Sequence, residues 1–484
     1  MFSIVCLTLP SLGAWPRRCN QEPWLLSRSS LDAAIANLGD AGRMRRLINW
    51  SRRLRQGENI TVTAIGGSIT AARPVMIRGG MSWPRAVVDW LAARWPARHG
   101  HHRLINAAVA ATPASYHVMC MQNRVPASVD LILLELGANA DVRRRWEAGA
   151  LEALIRRALS WPSAPAVVLV DWLNVRKYEW HRHGGADPAR HDKEFDYNAL
   201  SPRTVLQQLA SWYRVPRLTA AAALVHSDRA NVSVYRHEEF AFDWNHPNAC
   251  GHRMMAELVQ HYLLLVEATL REPFASDSSP LLLELRAGRH GLPPPIDTAY
   301  WVDDLEGYTC TSGDQLQHIS SGDFEFVQSD PDDPRGNLKP GLLSMRIGDI
   351  EDLTVYSVHA EVVIGYLVSY SHRMGNAHVK CIGDCKCNGA LLIGHHNVTS
   401  STMVATGIVI RNGPLRRCQL RVEHVAAHHS THQNSDRSTK GGFAITAGAS
   451  QLEGSKFKLL SVMVTPPGQP LRGTSPCTNT HRCR

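Results

Sequence analysis

Short apolar runs alternate with longer amphipathic stretches between residues 60 and 270, and no other feature constrains the fold as strongly. The run at 129–136 is almost continuously apolar, which is typical of a strand buried on both faces of a parallel sheet. The pattern predicts strands at 60–65, 104–107, 129–136 and 166–173, and helices at 82–95, 146–159 and 249–270. The first half of the chain is therefore predicted to contain repeated strand–helix units around a parallel sheet.

The sequence changes character after residue 271. A Ser- and Pro-rich stretch is followed from residue 300 by short alternating runs separated by Gly and Asn, the pattern of an all-β domain built as a sandwich or jelly roll. The predicted organisation is an N-terminal segment at 1–40, an α/β domain at 41–272, a linker at 273–299, a β-domain at 300–468 and a disordered tail at 469–484.

Composition narrows the class of protein. A chain of 484 residues with 44% hydrophobic and 20% charged residues has room for two globular domains. Its net charge of +9 is spread along the sequence, so we expect no nucleic-acid partner. No uninterrupted apolar stretch reaches the roughly 18 residues that a membrane span requires, so we expect none.

Eleven cysteines leave one over if all the others pair. Cys6 lies in an apolar stretch at 1–14 that ends in small residues and is similar to a signal peptide, whose removal would leave ten cysteines. Glycosylation sequons begin at Asn59, Asn231 and Asn397. These features predict a glycoprotein of the secretory pathway or the extracellular space; a plain N-terminal tail is the alternative.

A second cysteine question concerns the β-domain. Cys381, Cys385 and Cys387 lie close together, with Cys310 and Cys418 elsewhere in the same domain. Such a group either binds zinc or forms disulfides, and both interpretations stay open at this stage.

Four polar segments follow predicted strands or precede the last helix. Gly66 and Gly67 precede Ser68 at the end of the first strand, where a tight turn lifts a serine hydroxyl above the carboxyl edge of the sheet. Segments 106–112 and 135–141 follow the second and third strands. Asp243 stands three residues before His246, a spacing that lets the carboxylate orient the imidazole. All four segments are expected on one rim of the sheet.

In the order and spacing of these segments, residues 59–270 resemble the SGNH/GDSL hydrolase superfamily. The resemblance implies a flavodoxin-like three-layer α/β/α domain, and the β-domain that follows is similar to those appended to some proteins of this type. It also implies a serine esterase that needs no cofactor or metal. Ser68 would be the nucleophile, His246 the general base and then acid, and Asp243 the residue that holds His246.

The same resemblance implies an oxyanion hole made by the backbone N–H groups of Ser68 and Ala111 and the side-chain amide of Asn139. Two positions depart from the family pattern. Gly67 replaces the Asp of the Gly-Asp-Ser motif, and Ala111 stands where the second segment usually has Gly. Ala111 keeps the N–H donor, but its methyl group fills space beside the oxyanion and favours a different backbone conformation.

Between residues 171 and 197 the chain is rich in aromatic and His residues. Tyr178 and Trp180 are candidates for stacking on a substrate, and a surface insertion is the alternative. His181, His183 and His191 lack a metal-ligand spacing.

Together the sequence predicts hydrolysis of carboxylic esters, preferably O-acetyl esters on a glycan such as an acetylated polysaccharide, through an acyl-enzyme. Two alternatives remain open: a polysaccharide O-acetyltransferase with the same triad, and a glycan-binding protein with a degraded site.

Overall fold

The computed structural model of the chain describes residues 19, 24–36, 41–137, 145–173, 175, 202–229, 235–271, 292–296, 308–329, 338–356, 361–371, 373–396, 401–410, 417–426 and 454–465. The chain divides near Trp301 into two compact units, which form an α/β domain and a β-domain.

A six-stranded sheet lies at the centre of the first domain, in the order β1–β6–β5–β4–β2–β3. Its strands are β1 (Ile35–Ala36), β2 (Thr61–Gly66), β3 (Arg103–Asn106), β4 (Leu131–Glu135), β5 (Ala166–Asp171) and β6 (Arg217–Thr219). Strands β2 to β6 are parallel, and β1 pairs with β6 in the antiparallel direction. β4 and β5 are buried along their whole length, as their apolar runs predict.

Helices cover this sheet. They are α1 (Arg28–Ala33), α2 (Ala41–Arg55), α3 (Ser68–Ala71), α4 (Pro74–Ile77), α5 (Trp83–Arg94), α6 (Ala114–Arg124), α7 (Arg145–Leu159), α8 (Pro202–Trp212), α9 (Ala220–Arg229), α10 (His237–Phe240) and α11 (Ala249–Arg271). The order β3–β2–β4–β5–β6 of the parallel strands is the flavodoxin-like order, so the predicted α/β fold class is confirmed. In this order the connections switch direction at β2, and ligands bind beyond the carboxyl end of that strand.

The first domain begins before the predicted boundary at residue 41. Leu26 and Leu31 are buried in its hydrophobic core, and β1 adds a strand to the sheet. The buried carboxylate of Glu257 accepts hydrogen bonds from the backbone N–H groups of Leu25 and Leu26. A disulfide joins Cys19 to Cys250 at the start of α11. Residues 24–36 are therefore an integral part of the α/β domain.

The second domain contains two antiparallel sheets that form a sandwich, which confirms the predicted all-β class. One sheet has the order β15–β12–β17–β10–β9 with β7 also paired to β17, and the other has the order β14–β13–β16–β11–β8. The strands are β7 (Thr309–Ser312), β8 (Ser320–Gly322), β9 (Glu325–Ser329), β10 (Leu338–Ser344), β11 (Ile350–Val355), β12 (Glu361–Ser369), β13 (Asn376–Ile382), β14 (Ala390–Ile393), β15 (Ser401–Val409), β16 (Cys418–Val425) and β17 (Phe457–Val464). Buried side chains from both sheets form a single core, because alternate residues of each strand point inward.

The cysteines of this sandwich form disulfides. Cys381 pairs with Cys387, and Cys385 pairs with Cys418. Of the two interpretations of this cluster, the structure therefore has the disulfides. Across the described ranges, no group of three or more His, Cys, Asp or Glu side chains has the arrangement of a metal site. No helix within them is long and apolar enough to cross a membrane.

Candidate active site

Ser68 begins the short helix α3 immediately after strand β2. The turn between the two elements requires Gly66, because a Cβ atom there would collide with the Thr70 side chain and the backbone oxygen of Glu135. This close packing brings the first turn of α3 against the end of β4. The serine hydroxyl is thereby placed at the carboxyl edge of the sheet, beside the switch in strand direction.

Asp243 and His246 lie on one tight loop between α10 and α11. The loop is closed by the pairing of Ala241 with Pro247 and by the Phe242 N–H, which donates to the His246 carbonyl over 2.8 Å. Asp243 Oδ1 accepts hydrogen bonds from the backbone N–H groups of Asn245 and His246, each over 2.8 Å. The carboxylate therefore orders the loop as well as the imidazole.

The three side chains form a continuous hydrogen-bonded row. Ser68 Oγ lies 2.8 Å from His246 Nε2, and His246 Nδ1 lies 2.9 Å from both carboxylate oxygens of Asp243. The imidazole is 14% exposed and the carboxylate 32% exposed, so the row runs from a half-buried hydroxyl to a carboxylate at the surface. This arrangement allows proton transfer from the serine to the imidazole.

Asp243 is held in its ionised form. Burial alone would raise its pKa, but the hydrogen bond and charge of His246, together with the two backbone N–H groups, lower the pKa to about 2. The carboxylate is therefore negative throughout the neutral range and favours the tautomer in which His246 Nδ1 carries the hydrogen. His246 Nε2 is then free of a hydrogen and faces the serine hydroxyl.

Helix α3 is fixed from both sides by polar side chains at the ends of β3 and β4, for which the sequence indicated no such role. Thr70 Oγ1 donates to Glu135 Oε2 over 3.0 Å, and Asn106 Nδ2 donates to the Thr70 carbonyl over 3.0 Å. Glu135 is fully buried at the end of β4, and its Oε1 has no partner among the described residues. Burial raises the pKa of Glu135 to about 8, the Thr70 hydrogen bond opposes this shift, and the charge of Asp171 reinforces it.

Replacement of Glu135 by Gln is expected to make the protein more stable relative to the wild type as the pH rises. The folded state keeps the Glu135 proton up to about pH 8, whereas the unfolded chain releases it near the ordinary value of 4.5. The stability that the wild type gains from the Glu135 proton is therefore complete below pH 4.5. It is lost as the pH rises through about 8, the pKa of Glu135 in the folded state. Thermal unfolding at pH 5 and at pH 8.5 measures the difference.

In that experiment Glu58→Gln, at an exposed carboxylate of the same domain, controls for the loss of one negative charge. An equal difference in melting temperature between Glu135→Gln and wild type at both pH values would show that Glu135 does not retain its proton on folding.

Ala111 lies in the loop after β3 and has a φ of 65°. This is the left-handed region that favours glycine, so the alanine keeps the backbone conformation expected of the residue it replaces. The methyl group is accommodated at a buried position. Alanine in place of glycine therefore strains the backbone at residue 111 without changing its conformation there.

Ala111→Gly is expected to leave stability unchanged or raise it by up to about 1.6 kcal/mol. Relief of a left-handed alanine is worth about 1–2 kcal/mol, and the added freedom of glycine in the unfolded chain costs about 0.4–1 kcal/mol. Denaturant unfolding followed by tryptophan fluorescence measures the change. Ala164→Gly is the matched control, since Ala164 has a φ of 49° and lies before β5, at the opposite edge of the sheet. Clear destabilisation of Ala111→Gly alone would contradict this account.

The structure brings together Ser68, Asp243 and His246, as the sequence predicts, and places Ala111 on a loop at the same edge. Asn139, Tyr178 and Trp180 lie outside the described residues. Asn248 was missed: its Oδ1 accepts hydrogen bonds from the N–H groups of Cys250 and Gly251, so it caps α11 directly after the His246 loop. An Asn just before an apolar helical pattern is a recognisable signal for such a cap.

Solved two-domain proteins match this chain. A two-domain esterase (CEX) active on acetylated mannans matches with a TM-score of 0.58 and 18% identity, over 91% of this chain and 99% of that one. The structure of a two-domain esterase (CEX) active on acetylated mannans, co-crystallised with mannopentaose, matches with a TM-score of 0.57 at the same identity and coverage. No protein-family model matches the sequence, and no curated protein matches it significantly.

The chain thus has a flavodoxin-like α/β domain followed by a β-sandwich, the fold that this match shares. At this level of identity the likeness concerns the fold, which is the fold of a two-domain esterase.

Proposed function

We propose that this protein is a serine esterase. The observation that carries the proposal is the row of hydrogen bonds from Ser68 through His246 to Asp243, at the carboxyl edge of the sheet. Ser68 Oγ attacks the ester carbonyl carbon while His246 Nε2 takes its proton. The tetrahedral intermediate collapses, the C–O bond to the alcohol breaks, and His246 returns the proton to the leaving alcohol.

The second half of the reaction repeats these steps with water. His246 accepts a proton from a water molecule whose oxygen attacks the acyl-serine, and the proton then returns to Ser68 Oγ as the carboxylic acid leaves. Asp243 remains ionised and stabilises the imidazolium in both halves. The backbone N–H groups of Ser68 and Ala111 and the amide of Asn139 stabilise the oxyanion; donors of this kind are worth roughly 2.7–4 kcal/mol each.

The proposed substrate is an O-acetyl ester on a glycan. Support comes from the shared two-domain fold with an esterase that is active on acetylated mannans. Mannose-containing polysaccharide is accordingly the first glycan to test. Tyr178 and Trp180 keep their proposed role as residues that contact the glycan.

The proposed location is the secretory pathway or the extracellular space. The disulfides Cys19–Cys250, Cys381–Cys387 and Cys385–Cys418 support it, because disulfides persist in oxidising compartments. The sequon at Asn59 is exposed on the first domain, as a glycosylation site must be.

The function is tested by measuring acetate release from 4-nitrophenyl acetate and from acetylated mannan oligosaccharides. Wild type is expected to release acetate from both, and Ser68→Ala from neither. Addition of unacetylated mannan oligosaccharide distinguishes the alternatives: acetyl transfer to the sugar in place of release would identify an acetyltransferase. Absence of both reactions in folded wild-type protein would leave a glycan-binding protein.

A further inference from the structure

His117 is a buried residue of helix α6, and its ring lies between the nucleophile strand and the loop that carries Ala111. Its Nε2 is 2.9 Å from the Thr112 hydroxyl, and the backbone carbonyl of Gly66 lies near enough to raise the pKa of the ring. The side chain is 2% exposed. One imidazole therefore bridges helix α6 and the residue directly after Ala111, near the residue two places before Ser68.

Other contacts close the same loop onto strand β2. The Val109 N–H donates to the Gly66 carbonyl over 3.0 Å, and the Thr112 hydroxyl donates to the Val109 carbonyl over 2.7 Å. His117 donates to Thr112, so the bonds run in series from His117 through Thr112 and Val109 to the Gly66 carbonyl. Without the ring, this series loses its anchor on α6.

The ring stays neutral and therefore has a single N–H to donate. Burial lowers the pKa of His117 to about 3, the positive charge of Arg124 lowers it further, and the backbone carbonyl of Gly66 opposes the shift. A neutral imidazole has one N–H donor and one acceptor nitrogen. The donor is Nε2–H, because the Thr112 hydroxyl gives its own hydrogen to Val109 and accepts from the ring.

We propose that His117 is a positioning residue that fixes the Ala111 N–H relative to the Ser68 N–H, so that both point at one oxyanion. The inference rests on the proposed esterase function, because that function gives the two N–H groups the same oxyanion to stabilise. The strained backbone of Ala111 makes the bridge necessary. A left-handed alanine costs about 1–2 kcal/mol, and a loop released from its anchor relaxes toward an unstrained conformation.

A second buried histidine provides a matched control at the other end of strand β2. His102 Nδ1 accepts a hydrogen bond from the Ile60 N–H over 3.2 Å, and its Nε2 is 2.7 Å from the Trp95 carbonyl. It joins the start of the strand to a neighbouring segment through both ring nitrogens. It does so at the amino edge of the sheet, away from Ser68, so its loss affects folding without affecting the oxyanion site.

The test compares His117→Ala and His102→Ala with wild type by two readouts: steady-state hydrolysis of 4-nitrophenyl acetate and the rate at which a fluorophosphonate labels Ser68. We expect both variants to lose stability. His117→Ala alone is expected to lower kcat and the labelling rate by about 10- to 100-fold with little change in KM, because misplaced donors weaken transition-state binding specifically. His117→Gln, which keeps a side-chain N–H donor, is expected to restore part of the loss.

Thr112→Val provides the second variant, because it removes the hydroxyl while keeping the shape of the side chain. It is expected to lower kcat in the same direction, and the double variant His117→Ala/Thr112→Val to lose no more than the larger single loss. Wild-type kcat in folded His117→Ala overturns the proposal, and if that variant does not fold, wild-type kcat in Thr112→Val overturns it. Wild-type protein that neither hydrolyses the ester nor reacts with the probe overturns instead the esterase function, and the assignment to His117 falls with it.

Discussion

Replacement of Asp243 by Asn is expected to lower kcat by about 10⁴-fold while the protein remains folded. The Asn oxygen can keep the hydrogen bonds that Asp243 Oδ1 accepts from the backbone N–H groups of Asn245 and His246. Its NH₂ group then takes the place of Oδ2 and donates to His246 Nδ1, which opposes a hydrogen on that nitrogen. The tautomer with the hydrogen on Nε2 is therefore favoured, and in it Nε2 faces Ser68 and can no longer accept the serine proton.

Steady-state hydrolysis of 4-nitrophenyl acetate by Asp243→Asn measures this effect, with Asp130→Asn as the matched control. Asp130 is also a largely buried carboxylate that accepts a backbone N–H, that of Thr61, and pairs with Arg53 at the amino edge of the sheet. The control is expected to lose stability and keep its kcat. A kcat for Asp243→Asn within tenfold of wild type would mean that Asp243 does not set the tautomer of His246.

Removal of the Cys19–Cys250 disulfide is expected to destabilise the first domain by up to about 5 kcal/mol. The bond closes a loop of 231 residues, and in the chain-entropy model the stabilisation grows with loop length. It also holds the N-terminal segment against the start of α11, a few residues after His246. The double variant Cys19→Ser/Cys250→Ser is therefore expected to unfold at lower denaturant concentration.

Tryptophan fluorescence reports this unfolding selectively, because all the tryptophans lie at or before Trp301. The matched control is Cys381→Ser/Cys387→Ser, whose disulfide spans six residues of the second domain and is worth about 2 kcal/mol in the same model. It is expected to leave the first-domain transition unchanged. An unchanged midpoint in the Cys19→Ser/Cys250→Ser variant would show that Glu257 and the packing of α1 hold the N-terminal segment without the disulfide.

The α/β domain was predictable because its strands and turns each have a local sequence pattern that agrees with their place in the fold. The apolar run at 129–136 corresponds to a fully buried strand, and the glycines before Ser68 correspond to a turn that only close backbone packing explains. Asp243 and His246 are three residues apart in one loop, so their contact is local. Their meeting with Ser68 follows from parallel strands sharing one carboxyl edge.

The parts that the sequence did not reveal depend on contacts between distant residues. The antiparallel strand β1 has two residues, too few for any periodicity, and its place beside β6 is decided by tertiary packing. His117 and Glu135 each lie within an apolar stretch, where a polar residue gives no indication of which backbone group or hydroxyl it will meet. The disulfide pairing likewise depends on the fold, because spacing alone does not distinguish the possible partners.

Covalent labelling shows whether Ser68 is the activated nucleophile of the proposed esterase. Purified protein is incubated with a fluorophosphonate, and the modified peptide is located by mass spectrometry in wild type, Ser68→Ala and His246→Ala. We expect stoichiometric modification of Ser68 in wild type, none in Ser68→Ala and strongly slowed modification in His246→Ala. A folded wild-type protein that stays unmodified, or that is modified at another residue, would show that Ser68 is not activated.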